Sequence, residues 1–253
     1  MKISSVKNEF GDPIGLPVSQ VSTPSLPDDS AKLTGQYCYL EVLDAEKHTA
    51  DLFAAYSLDT DGRLWTYMPQ GPFNSEAEYR TWVEGAQHKA DPFFYAIIDS
   101  ESNKAVGVAS YLRVDPGASS IEVGWITYSP LIQQKPIATE AMYLMMKNAF
   151  DMGYRRYEWK CNSLNQPSIN AAMRLGMSFE GLFRQATMVK GHNRDTAWFA
   201  IIDRDWPVAQ DAYETWLSPE NFDSAGQQKL RLSDLTAPIV EARWPSLNLD
   251  VQR

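Results

Sequence analysis

Residues 121–153, IEVGWITYSPLIQQKPIATEAMYLMMKNAFDMG, limit what the chain can fold into more than any other stretch. Ile121, Val123 and Trp125 alternate with Glu122, Gly124 and Ile126, the two-residue period of a strand. Ser129 and Pro130 end that run, because Pro130 has no N–H to give a ladder. Pro136 marks a helix start, with φ already set and no donor to waste. Ala138, Met142, Met145, Met146 and Ala149 then recur at helical spacing, and Gly153 stands where a C-terminal cap belongs. Such a unit brings unpaired first-turn amides and the positive end of a helix dipole to one point, and Ala138 and Thr139 are small enough to admit an anion. The same pattern also describes an ordinary strand–loop–helix connection, and the stretch alone leaves both readings open.

The chain around it reads in order. Residues 1–35, rich in Pro, Gly, Ser and Asp, predict an extended arm. Residues 37–43 predict a strand, and Asp44 an N-cap for a helix carrying His48, Leu52 and Phe53. The aromatic run LWTYMPQGPF (64–73) is an ordered loop, either lining a pocket or covering a core edge. Ser75 and Glu78 predict a capping box for the next helix. Three β runs from Phe93, with turns at 99–103 and 115–119, make a meander that feeds the opening stretch. A strand follows at 156–161, which makes the helix of the opening stretch a parallel crossover. Asn165 and Pro167 open a helix ending at Gly176. Two strands, 182–189 and 196–202, flank a turn over 190–195, and residues 205–253 begin with a helix and trail into polar sequence. The sum is an α+β domain with a mixed, mostly antiparallel sheet of about seven strands, flanked by helices. Its expected parts are an arm (1–35), a main domain (36–204), and a C-terminal helix and tail (205–253).

Composition narrows the partners. With 253 residues, a formal charge of −9 and a pI near 4.9, the chain suits cationic partners such as amines rather than nucleic acid. Cys38 and Cys161 lie far apart, without metal-type spacing, and read as buried thiols of a reducing compartment, with a disulfide as the alternative. No metal is expected, and His88 and His192 read as surface residues, His192 in a hairpin turn. No run is apolar enough to span a bilayer, so a cytoplasmic protein with no membrane partner is expected.

Three stretches resemble the GCN5-related N-acetyltransferase (GNAT) superfamily, and within it the RimJ/RimL type. QQKPIA (133–138) followed by TEA is similar to the family's Q/R-x-x-G-x-G/A pyrophosphate loop. Asn165 with Ser168, then LGM and FEG (179–181), is similar to the N-x-x-S, LGF and EG signature, and KGHNRDTAWFAII (190–202) to the closing hairpin. The resemblance covers about residues 36–204. Pro136 departs from it, standing where the family has the loop's first glycine, while Ala138 fills the second small position.

The resemblance implies acetyl-CoA as co-substrate and an amine as acceptor, joined by direct attack in a ternary complex. It implies a central splay beside the strand 121–127, whose backbone near Ile126 and Tyr128 takes the pantetheine arm. The pyrophosphate falls to the loop headed by Gln133, on the amides of Gln134, Lys135, Ile137, Ala138 and Thr139, and Asn165 contacts the arm. Glu122 is the candidate base, against a reading as a solvated or ion-paired strand carboxylate; Ser168 is the candidate proton donor to the departing thiolate, against one as a backbone-bonded first-turn serine. Freeing an α-amino group (pKa about 7.7–8.0) at pH 7 costs about 1 kcal/mol and freeing lysine (about 10.4) costs over 4, so even an enzyme with a poor base can acetylate N-termini. Some ribosomal-protein enzymes of this branch carry a carboxylate where the strand after EG has Thr187 here. A non-catalytic acyl-CoA-binding or assembly module on the same fold is the alternative, and the arm and tail both offer homodimer contacts.

Overall fold

The structure is a computed structural model and describes residues 4–18, 23–30 and 32–245. Its strands are β1 (Ser5–Lys7), β2 (Pro13–Gly15), β3 (Leu33–Thr34), β4 (Cys38–Val42), β5 (Phe93–Asp99), β6 (Ala105–Asp115), β7 (Ser120–Tyr128), β8 (Arg156–Asn162), β9 (Ser178–Val189) and β10 (His192–Ile202). Its helices are α1 (Ala45–Tyr56), α2 (Glu76–Ala86), α3 (Pro136–Asp151), α4 (Gln166–Arg174), α5 (Trp206–Leu217) and the single turn α6 (Leu232–Leu235). β1 and β2 form a separate exposed hairpin, and the other eight strands form one sheet in the order β3-β4-β5-β6-β7-β8-β10-β9. Among the described residues only β7 and β8 run parallel, and every other pairing in the sheet is antiparallel. The mixed α+β architecture is the one expected. It has eight strands rather than seven because Leu33 and Thr34, within the arm, pair with Leu40 and Tyr39 of β4.

The local signals act where the chain needs them. Asp44 caps α1 by accepting from the Lys47 amide at 2.9 Å, and Asn165 caps α4 by accepting from Ser168 N–H at 3.2 Å. Ser75 accepts from the Glu78 amide as predicted, but Glu78 reaches back to the Asn74 amide rather than to Ser75. α3 begins at Pro136 and is followed by Gly153 at φ 96°, a left-handed position that a glycine occupies without strain. The β9–β10 turn differs from expectation: it is two residues long, Lys190 (φ 49°) and Gly191 (φ 78°), and His192 already pairs with Val189. A two-residue turn with both φ positive matches strand twist, so residues 192–195 continue the hairpin instead of looping, and His192 lies on the strand.

Two apolar layers sandwich the sheet. On one face α3, α4 and α5 bury Met142, Met145, Met146, Ile169, Ala209 and Tyr213 against Tyr111, Ile121, Tyr157 and Phe199. The segment after α5 joins this same core through Leu232 and Ile239, and Ala242 O accepts from the β9 amide of Phe179 at 2.9 Å. On the other face α1 and α2 bury Leu52, Tyr56, Tyr79 and Val83 against Phe94, Ala96 and Val108. Trp65 packs edge-on against Tyr56 and Phe73, both at 5.3 Å, so the aromatic loop is part of this second core.

One irregularity positions everything that follows. Opposite Val108 and Ser110 of β6, β7 carries an extra residue, with Trp125 at φ 52°. A bulge bends its strand and breaks its pairing. β7 pairs with β8 only from Ser120↔Arg156 to Val123↔Trp159; beyond that, β7 runs on to Tyr128 and β8 to Asn162 without each other. The sheet is splayed at its parallel pair.

Candidate active site

The splay opens into a cleft of about 600 Å³. Its walls are residues 122–126 of β7, 159–162 of β8, Leu112 and Arg113 of β6, residues 183 and 186–189 of β9, the start of α4, the inward face of β10, and Tyr67, Met68 and Pro69 of the aromatic loop. Both readings of that loop therefore hold at once: Trp65 and Phe73 cover the core, while the residues between them roof the cleft. Tyr67 OH donates to Leu164 O at 3.0 Å, and Lys190 Nζ donates to Trp65 O at 2.9 Å and Gly71 O at 2.7 Å, so both rims hold the roof.

Glu122 lies in the cleft wall and is nearly buried, with its side chain 4% exposed. It is not solvated. Arg113 Nη1 donates to both carboxylate oxygens at 2.7 Å, and Lys160 Nζ reaches Oε2 at 2.7 Å. Lys160 also pairs with Glu158 at 2.8 Å and sits 3.5 Å from the Trp198 ring centroid. Burial alone would raise the Glu158 carboxyl, but hydrogen bonds from Lys160 and Arg156 outweigh it and hold the group below the usual range. Arg156 passes the network on to Glu180. Glu122 is thus held between two cations.

Ser168 stands on the first turn of α4, facing the cleft. Its Oγ accepts from Trp159 Nε1 at 3.0 Å, which leaves the hydroxyl proton to donate elsewhere. Asn165 uses Oδ1 for its cap and keeps its amide N–H groups for the cleft. The neighbouring Cys161 thiol is pushed up to about 11, first by burial, so it stays protonated at neutral pH; Cys38 is raised further by burial beside Glu140. Both cysteines are free and buried.

At the other end of the splay, Ile126 is half-buried in the cleft wall, and the β7 edge from Gly124 to Tyr128 has no partner on its β8 side. Tyr128 ties that edge to α3: its OH donates to Ala138 O at 3.2 Å, and its carbonyl accepts from Gln133 Nε2 at 3.0 Å. The five loop amides do not stand alike. Lys135 N–H bonds Ile132 O and Ala138 N–H bonds Lys135 O, both at 3.2 Å, whereas the amides of Gln134 and Ile137 have no partner among the described residues, and that of Thr139 has none outside α3. Gln134 holds φ 61°, a conformation that favours glycine, immediately before the proline-initiated helix. Thr139 is buried and its hydroxyl accepts from Arg174 Nη1 at 3.0 Å, so its side chain faces the protein and not the loop's outer surface.

Sequence reasoning missed Arg113, Lys160, Arg194 and Trp198, which come from three strands and have no local spacing in common. It also missed Glu140. This α3 carboxylate, 3% exposed, accepts from the amides of Gln36, Tyr37 and Cys38, each at 2.7 Å, and fastens the start of β4 to the helix. Gly35 makes room for it, since a Cβ there would lie 2.4 Å from the Glu140 carboxyl carbon. Among the described residues, no group of three or more His, Cys, Asp or Glu is placed to hold a metal, and no helix is long and apolar enough to cross a membrane.

The sheet is opened at its parallel pair, with the free β7 edge beside the opening and the start of α4 in its wall. The chain belongs to the GNAT acetyltransferase family, whose domain matches residues 40–178. It is similar to a GCN5-related N-acetyltransferase of Brucella melitensis, with 46% identity and a TM-score of 0.83 over 85% of this chain and 98% of that one. It is also similar to the uncharacterized N-acetyltransferase YnaD of Bacillus subtilis (strain 168), 25% identical over 157 residues, which are 62% of this chain and 90% of that protein. A Salmonella typhimurium acetyl transferase that modifies the N-terminal serine of ribosomal protein L7/L12 shares the fold alone, at 23% identity and TM-score 0.58, covering 68% of this chain and 99% of that one.

Proposed function

We propose that this protein transfers an acetyl group from acetyl-CoA to a primary amine, a protein N-terminus or a small amine, by direct attack within a ternary complex. The observation that carries the reading is the pairing break after Val123↔Trp159. It leaves a strand edge free to take the amides of a pantetheine arm in the manner of an added strand. The unpaired amides of Gln134 and Ile137, at the start of α3, suit the pyrophosphate, with Gln133, Lys135, Ala138 and Thr139 shaping the turn that presents them. Ile126, Tyr128 and Asn165 flank the arm between the two.

In the step itself the amine nitrogen bonds the thioester carbonyl carbon and the carbon–sulfur bond breaks. Glu122 receives the ammonium proton before attack, directly or through water; Ser168, whose hydroxyl hydrogen is not used by Trp159, gives its proton to the departing thiolate and regains one from the nitrogen as the amide forms. The two residues lining one cleft support an enzyme over a non-catalytic module. The Asn165–Ser168 motif supports the RimJ/RimL branch. Calorimetry with acetyl-CoA tests the reading: micromolar binding abolished by Ala138→Glu supports it. No binding by either wild type or Pro136→Gly would remove it.

A further inference from the structure

The cleft is more positive than the chain that builds it. The protein carries a formal charge of −9, yet Arg113, Lys160 and Arg194 all line the cavity. Glu122 and Glu158 answer Arg113 and Lys160. Arg194 is left over: it has no ion pair among the described residues, and its Nε is fully buried with no hydrogen-bond partner. A buried donor on a cation without a counter-charge is costly, and proteins keep such an arrangement where a ligand completes it.

Arg194 is not alone. Trp198, on the same face of β10, also has its indole N–H buried and unpartnered, and lines the same cleft. Arg113 spends one Nη on Glu122, and its remaining N–H groups have no partner among the described residues; it lines the same cavity as Arg194. Arg194 is close enough to feel Arg113, Glu122 and Cys161, with burial the leading influence on its guanidinium, which it lowers. Free donors from two strands thus converge beside the carboxylate proposed to take the ammonium proton. A carboxylate is the planar anion that guanidinium N–H groups fit best.

We propose that the acceptor is a primary amine carrying a carboxylate a few bonds from its nitrogen, bound by Arg194 and Trp198 with help from Arg113, while the amine lies towards Glu122. This rests on the acetyltransferase reading and names its acceptor class. The pyrophosphate is not the anion concerned, because the start of α3 does not line this cavity.

The test is a matched panel: L-phenylalanine, L-methionine and γ-aminobutyrate, each beside its primary amide, with a Glu-Ala-Ala amide peptide as the macromolecular source of the same chemistry. The free acids are expected to have kcat/KM at least about tenfold above their amides, expressed in KM, since a hydrogen bond to a charged group is worth about 1.5–3 kcal/mol. Arg194→Gln should erase that ratio and Arg194→Lys should keep part of it, with the melting temperature held or raised because an unanswered buried cation is removed. Preference for the peptide over the free acids would place the carboxylate on an N-terminal side chain and still support the inference. Equal use of acids and amides would overturn it, as would an Arg194→Gln loss of kcat shared by every acceptor, which assigns Arg194 to the departing thiolate. A readout without turnover is titration of the same acids and amides into CoA-loaded protein, where equal affinity overturns the inference. Failure of wild type to bind acetyl-CoA sinks the acetyltransferase reading instead, and is measured separately.

Discussion

At the scale of single residues the site is a set of competing claims on protons and charges. Glu122 is shared by Arg113 and Lys160, so Glu122→Gln removes both a proton acceptor and the anion that balances two cations. Its expected effect is a kcat loss of about 10²-fold, measured at saturating acetyl-CoA. Ser168→Ala should lower kcat by a similar factor while leaving acetyl-CoA affinity within about twofold, as the proposed role on the leaving sulfur requires. Glu140 belongs to the fold and not to the chemistry. Glu140→Gln sets its NH₂ against at least one of the three backbone N–H groups and should cost about 3 kcal/mol of unfolding free energy, read by urea denaturation. If that variant keeps wild-type stability, the strap on β4 carries no net energy.

At the scale of elements, β7 and α3 act together. The bulge at Trp125 turns β7 off β8, and Tyr128 then bonds its end to the first turn of α3, so the free edge and the free amides have a fixed separation. Pro136 supplies the helix start at no loss, because a first-turn amide has no intrahelical acceptor anyway. Pro136→Gly is accordingly expected to weaken or leave unchanged acetyl-CoA affinity, by pre-organisation lost, and not to improve it; a tenfold tighter Kd in calorimetry would show that the missing N–H mattered more. The β9–β10 tip is a second coupled element. Lys190→Ala frees Trp65 O and Gly71 O, and the roof loop should then show faster amide exchange with a raised acceptor KM and little change in melting temperature.

At the scale of the whole molecule, the charged ladder from Arg113 through Glu122, Lys160, Glu158 and Arg156 to Glu180 crosses the sheet face beside the cleft. Glu158 titrates below its usual range when folded, so its contribution to stability is present above about pH 4.5 and is lost as pH falls further. Melting temperature should fall below that pH, and Glu158→Gln should flatten that acid slope. The segment after α5 is part of the same molecule-wide core: Leu232 and Ile239 pack on it, and Thr236 Oγ1 donates to Arg174 O, tying the tail to the helix whose other end holds Ser168.

Sequence alone determined the parts whose causes are local. Pro136, Asn165, Asp44 and the glycines at 153 and 176 announce helix ends because capping and backbone conformation are decided within a few residues. The alternation in 121–127 was enough to place Glu122 on a strand, and the cleft beside it was implied by the GNAT resemblance. The short β3 and the two-residue turn at Lys190–Gly191 were not legible, the first because two residues hold no period, the second because polar residues 192–195 mask a strand whose partner is across the hairpin. Only the tertiary structure decided what the site residues face. Glu140 reaches residues about a hundred positions away, Arg113 and Lys160 meet at Glu122 from two strands, and Arg194 and Trp198 are left without partners. Those are long-range juxtapositions, set by strand order and by one bulge, and no short window of sequence contains them.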